Sequence, residues 1–281
     1  MTKILNPIPM RKPVTLIILS LLLLATSFSY AQKASISRDS ILQKYLHNGA
    51  YQYAIYSQSW NVYLDSALAI LPQDAFLWQQ KAMPYFKTLK YEVGMAYLDS
   101  AVKYNQPRYI DYRGFIKCIF LKDYTAAIAD FQLASQVNGD IGIMDHEYRF
   151  YIGLSYLQLN KYDSAASCFR ECIRRQQARF GDSMVHHLVN FYMGITLYEQ
   201  QEYAAAISYF DKALQRYSNF SDAKFYKALC MGYLQQDTAA MQLYEEAVKD
   251  FKDGFTINED NAIYERYPYQ VNSFLLSRLK P

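Results

Sequence analysis

Beyond residue 31 the sequence has no apolar run long enough to cross a membrane, which requires about 20 consecutive residues. It also lacks a glycine-rich phosphate loop, a G-x-S-x-G elbow and an H-E-x-x-H pair, so no catalytic constellation and no cofactor are expected. Only ten glycines and eight prolines occur in 281 residues, which excludes a collagen-like or low-complexity chain. Four cysteines are too few for a disulfide-stapled scaffold. A dominant charge is missing as well. Of the 29 basic residues, Lys3, Arg11 and Lys12 precede residue 32, leaving 29 − 3 = 26 against 26 acidic ones, a net charge of zero. A nucleic-acid partner needs a basic stripe to replace counterions, so none is expected.

What is present is apolar and aromatic. Hydrophobic residues make up 52% of the chain, with 28 tyrosines and 16 phenylalanines, enough to bury a core and to pack helices by their rings. The first 31 residues read as a secretory signal: a basic start, an apolar stretch from Val14 to Ala25, and Ser29-Tyr30-Ala31 with small residues at −3 and −1. The apolar stretch is too short for an anchor that spans, and no Cys follows it for a lipoprotein linkage. Cleavage before Gln32 is expected, and with it an exported chain, periplasmic or secreted, with no membrane span.

The remainder repeats itself. Tyr151, Gly153, Tyr156, Lys161-Tyr162, Ala165, Phe169 and Cys172 form the clearest copy. Trp78, Ala82, Tyr85, Lys90-Tyr91, Gly94, Leu98 and Ala101 form an earlier one, with Pro107 near its end. Gly194, Glu202-Tyr203, Ala206, Phe210 and Ala213 make a later one. Gly114, Asp123-Tyr124, Ala127, Phe131 and Ala134 make another, with one extra residue between glycine and turn that suggests a bulge. Ala228, Asp237, Ala240, Tyr244 and Ala247 are looser, and Leu64, Ala67 and Pro72 are the poorest copy because Trp60 stands where a small residue belongs. Small residues let two helices approach, and a large ring fills the space beside them. Turns at residues 91, 124, 162, 203 and 237 are 33, 38, 41 and 34 apart, so extra residues are expected in loops near Val137 to Asp145 and Arg175 to Ser183.

This pattern resembles the tetratricopeptide repeat (TPR) family, of the exported bacterial type, over about residues 40 to 250. The resemblance implies an all-α, right-handed superhelical solenoid of about six helix pairs over residues 32–253, with a capping tail from 254 to 281. It also implies that the first helices line a concave face. On that face would lie Phe76, Met83 and Phe86, then Phe115, then Phe150, Leu154 and Leu157, then Phe191, Ile195 and Tyr198, and last Phe225 and Leu229. The strip lacks the Lys, Asn and Arg of the family's carboxylate clamp. Another polypeptide, held by rings, is the expected partner, making the chain a protein-interaction scaffold of the cell envelope. The bland alternative is that these rings meet one another as core. Two others are a self-associating scaffold and a glycan- or peptidoglycan-acting enzyme whose carboxylates come from separate repeats.

Gly254 ends the last pair, and Pro268 keeps the following Tyr264, Tyr267 and Tyr269 out of a continuous helix. That segment either caps the last pair, the favoured reading, or turns back into the groove. Cys118, Cys168, Cys172 and Cys230 are expected as free thiols, since residues i and i+4 on a helix are poorly aimed for a disulfide. Asp145-His146-Glu147 and His186-His187 have no metal-motif spacing, and no metal is expected.

Overall fold

The computed structural model describes residues 37–278 and 281, so the signal reading of residues 1–31 lies outside it. The described chain divides into two compact units, through Leu71 and from Pro72 onward. In the first, helix α1 (Arg38–Ile41) is capped by Ser37 and runs into a π-helical stretch, Leu42–His47. Helix α2 (Gln58–Ile70) follows, its first turn closed by the Ser57 hydroxyl accepting the Trp60 N–H at 3.2 Å. Trp60, too large for its repeat position, is nevertheless buried and packs on Tyr51 at 5.5 Å between ring centres.

The second unit is a stack of helix pairs: α3 (Ala75–Lys87) with α4 (Tyr91–Tyr104), α5 (Gln106–Ile116) with α6 (Tyr124–Asn138), and α7 (Tyr148–Gln158) with α8 (Tyr162–Phe180). Helices α9 (His187–Glu199) with α10 (Tyr203–Arg216), and α11 (Ser221–Tyr233) with α12 (Asp237–Lys252), complete it. Starts are fixed by side-chain caps where the sequence offers them: Asp74, Asn105 and Asp123 accept the N–H three residues on.

One turn is reused within the pairs. Leu89, Asn160, Gln201 and Gln235 each adopt left-handed backbone, with φ between 56° and 63°, and the next residue's N–H bonds a carbonyl five residues back at 2.8–2.9 Å. The second pair carries the expected extra residue as a π-helical turn, Lys117–Leu121, with Lys122 left-handed beyond it. Of the two insertions expected as loops, the first folds into a hairpin. Strands β1 (Gly142–Ile143) and β2 (His146–Glu147) pair antiparallel across Met144 and Asp145, both at positive φ. The second is not a loop at most of its positions: α8 simply continues to Phe180, because Cys168, Cys172 and the residues after them keep helical spacing and no breaker precedes Gly181.

The repeat residues occupy the core. Ala82, Ala101, Ala127, Ala165, Ala206 and Ala213 have no exposed surface, nor do Phe169 and Phe210, while Trp78, Tyr85 and Tyr156 are half-buried. Gly114, Gly153 and Gly194 are buried where helices cross. At Gly194 a Cβ would stand 2.6 Å from the Phe210 ring, so only glycine allows α9 and α10 this close. All four cysteines are free, three of them buried and Cys168 half-buried. Among the described residues no helix is long and apolar enough to cross a membrane.

Candidate binding groove

The first helices of the pairs, α3, α5, α7, α9 and α11, carry the strip predicted to bind a partner. Phe86, Phe115, Phe150, Leu154, Leu157, Phe191, Ile195, Phe225 and Leu229 are all buried, and Phe76, Met83 and Tyr198 are half-buried. Several of these rings face neighbouring helices. Phe191 lies 5.1 Å from Phe220 and 6.0 Å from both Phe210 and Tyr226, and Phe150 lies 5.6 Å from Tyr192.

The other reason for the burial is the C-terminal segment. Gly254, at φ +89°, turns the chain off the end of α12, and residues 255 to 271 run back along the first helices. Ser221 N–H donates to the Phe255 carbonyl at 3.0 Å and Thr256 Oγ1 to Asp222 at 2.8 Å. Glu259 reaches the hairpin at His146, 3.1 Å away. Tyr264 and Glu265 reach the first pair of this unit. The Lys87 ammonium donates to Tyr264 Oη at 3.0 Å and sits 4.6 Å from its ring centre, and the Tyr91 hydroxyl donates to Glu265. Lys122 donates to the Arg266 carbonyl at 2.6 Å and lies 3.7 Å from Glu265. The segment then doubles back. Tyr192 donates to the Pro268 carbonyl at 2.9 Å, Tyr269 donates to Glu199 at 2.7 Å and Val271 N–H to Asp222 at 2.6 Å. Helix α13 (Ser273–Arg278) ends the path beside α12, where Tyr244 donates to the Leu276 carbonyl. The segment therefore does meet the last pair, through Leu276, but most of its bonds are to the first helices of the pairs and the turns beside them.

Four of the side chains that meet this segment are offset from the predicted strip by one residue. Tyr192 and Tyr226 follow Phe191 and Phe225, Lys87 follows Phe86, and Glu199 follows Tyr198. One residue turns a helix face by about 100°. The predicted positions carry rings that wedge between helices, and the following positions carry hydroxyls and charges able to grip a backbone. Ile257, Tyr267, Val271 and Leu276 are buried in the same core, and side chains of this size are each worth about 1.5–3 kcal/mol when fully buried.

Burial shapes the charges. Asp222 is fully buried, which pushes its carboxyl up to about 6, opposed by the Val271 N–H, the Thr256 hydroxyl and the Ser221 hydroxyl that stabilise the ionised form. Burial first, then the neighbouring imidazoles His146 and His187, pushes His186 down to about 3. Burial likewise lowers His187 to about 4. Sequence reasoning passed over Asp222, Glu199 and Lys122 and weighed His146 only for metal-motif spacing, because no motif marks them and their partners lie in the tail.

Three family models described as tetratricopeptide repeat match residues 146–179, 187–220 and 222–254. The fold is similar to that of PilW, described as a widely conserved type IV pilus biogenesis factor (TM-score 0.58, 15% identity, covering 76% of this chain and 94% of that one). It is also similar to PilF of Pseudomonas aeruginosa (0.54, 19%, 77% and 97%) and to the apo form of RapI (0.58, 12%, 88% and 76%). At these identities the likeness is one of fold. A search of curated protein sequences finds no match.

Proposed function

Because the chain belongs to the tetratricopeptide-repeat family, matched over residues 146–254, we propose that it is a non-catalytic scaffold that binds an extended polypeptide along its inner face. The observation that carries this is the way the groove treats the one polypeptide it holds. Lys122, Tyr192 and Asp222 bond the main chain of Arg266, Pro268 and Val271, so part of the recognition is of backbone, beside side-chain bonds at Thr256, Glu259, Tyr264, Glu265 and Tyr269 and buried apolar side chains. Such a surface accepts a second strand of similar character when the resident one leaves. The partner is then a segment with alternating tyrosine and apolar residues and an acidic residue able to meet Lys122. The N-terminal signal pattern supports a site of action outside the cytoplasm, in the envelope or the secreted space.

Exchange can be measured directly. A protease site inserted after Gly254 lets the tail be cut in the folded protein, and a fluorescent peptide of residues 255–281 is then added. Saturable uptake with a rise in anisotropy, competed by the unlabelled peptide, is expected. If the cut tail never dissociates and no peptide enters, the groove is structural only and the partner surface lies elsewhere. Fractionation of the producing cells tests the location, with recovery in the cytoplasm counting against export.

A further inference from the structure

The tail brings a carboxylate to a place where two histidines already meet. His146 is fixed by the tight hairpin, its ring stacked on Phe150 with centres 4.0 Å apart and its side chain 1% exposed. The His186 ring stands edge-on to it at 4.8 Å, just before α9. Glu259, 113 positions along the chain from His146, points its carboxylate at His146 Nε2 from 3.1 Å and is itself 11% exposed on its side chain. One donor atom from each of the three lies within 4.8 Å of the other two. We propose that His146, His186 and Glu259 form a binding site for a zinc-class divalent ion that clasps the C-terminal segment to the solenoid.

The donor set fits such an ion. Two imidazoles and one carboxylate with a position left for water is a combination that borderline divalent metals accept, whereas calcium and magnesium want oxygens. Bonds of about 2.1 Å in a tetrahedron put donor atoms ~3.4 Å apart, so the ion has to draw the widest pair in by little more than 1 Å. A cavity of about 340 Å³ lined by Asp145, His186, His187, Glu259 and Asp260 adjoins two of the three, His186 and Glu259, giving water a path to the remaining position and further acidic groups near a cation. Coordination replaces the His146 Nε2–Glu259 contact at 3.1 Å, and the other bond near it is long: His186 Nδ1 accepts the Leu188 N–H at 3.3 Å. Spacing in sequence conceals the site, since the hairpin, the loop before α9 and the tail each contribute a single donor.

The proposal rests on where the tail lies, not on whether it exchanges, so the test uses the full chain. After chelator treatment and dialysis, zinc is titrated by calorimetry and cobalt(II) by visible absorption, on wild type, Glu259→Gln and His186→Gln, each checked for native circular dichroism. One ion per chain, a d–d band of low symmetry, and at least tenfold weaker binding in both variants are expected. Proteolysis between residues 254 and 264 should slow severalfold with zinc in the wild type and not in either variant. Zinc uptake that both variants retain, or no stoichiometric uptake by the wild type, overturns the proposal. Should a variant fail the folding check, Glu259→Ala replaces it, and unchanged affinity there counts against the site too.

Discussion

At the residue scale, two positions show how narrowly the packing is drawn. Gly194 faces a Phe210 ring that is wholly buried, so an added methyl at 2.6 Å cannot be relieved by swinging a side chain into solvent. Gly194→Ala is expected to cost about 1–3 kcal/mol in urea unfolding, and Phe210→Leu in the same chain should restore part of it. An unchanged midpoint would mean that α9 and α10 can part without penalty. Asp222 is the second. Its folded pKa of about 6 lies above the ordinary carboxylate value, so it contributes stability below pH 4 that is lost as the pH rises through 6. The difference of about two units corresponds to at most ~3 kcal/mol. Wild type should therefore exceed Asp222→Asn in stability by more at pH 4 than at pH 7.5. A gap that widens with pH would mean that the N–H and hydroxyl donors outweigh burial.

At the scale of elements, the intra-pair turn is the repeated unit that sequence pattern underrates. All five pairs of the second unit close through a left-handed residue, and each uses a non-glycine there. Asn160 tolerates this conformation because its short amide bonds locally, whereas Leu89 gains nothing from it and is 62% exposed. Leu89→Gly should raise stability by about 0.5–1 kcal/mol, and Asn160→Gly should change it by less, both read from chemical denaturation. The π-helical turn at Lys117–Leu121 belongs to the same scale. One surplus residue is absorbed inside the helix without shifting the register of Phe115 before it or Ala127 after it.

For the molecule as a whole, the tail alters how the second unit should unfold. A solenoid of pairs that touch only their neighbours can fray from either end. Here one segment bonds Lys87 and Tyr91 in the first pair of that unit, Tyr192 in a middle one and Tyr244 in the last. With Trp60 replaced by Phe, Trp78 alone reports on the first of these pairs, and circular dichroism reports on all. The two urea transitions should coincide in that chain and separate when Tyr264→Ala and Glu265→Ala remove the anchor. Separate transitions with the anchor intact would show that the tail does not couple the ends.

The sequence by itself determined the helices, their pairing, the turn positions and the extra residue at the π-helical turn, because each depends on contacts within one repeat or between adjacent ones. Periodicity in a helix reports which residues are apolar, and it put Phe191 and Phe225 on the strip expected to meet a partner, with core packing as the alternative; both are buried. It did not distinguish a ring wedged between helices from a ring offered to a ligand, and that distinction moved the gripping face by one residue to Tyr192 and Tyr226. The course of the tail was decided only in three dimensions. Its bonds to Lys87, Lys122, His146 and Asp222 span the whole stack of the second unit, and nothing in the local pattern of residues 255–271 encodes a partner so far along the chain. Local physical chemistry thus specified the helix pairs, and long-range packing specified the segment that lies along them.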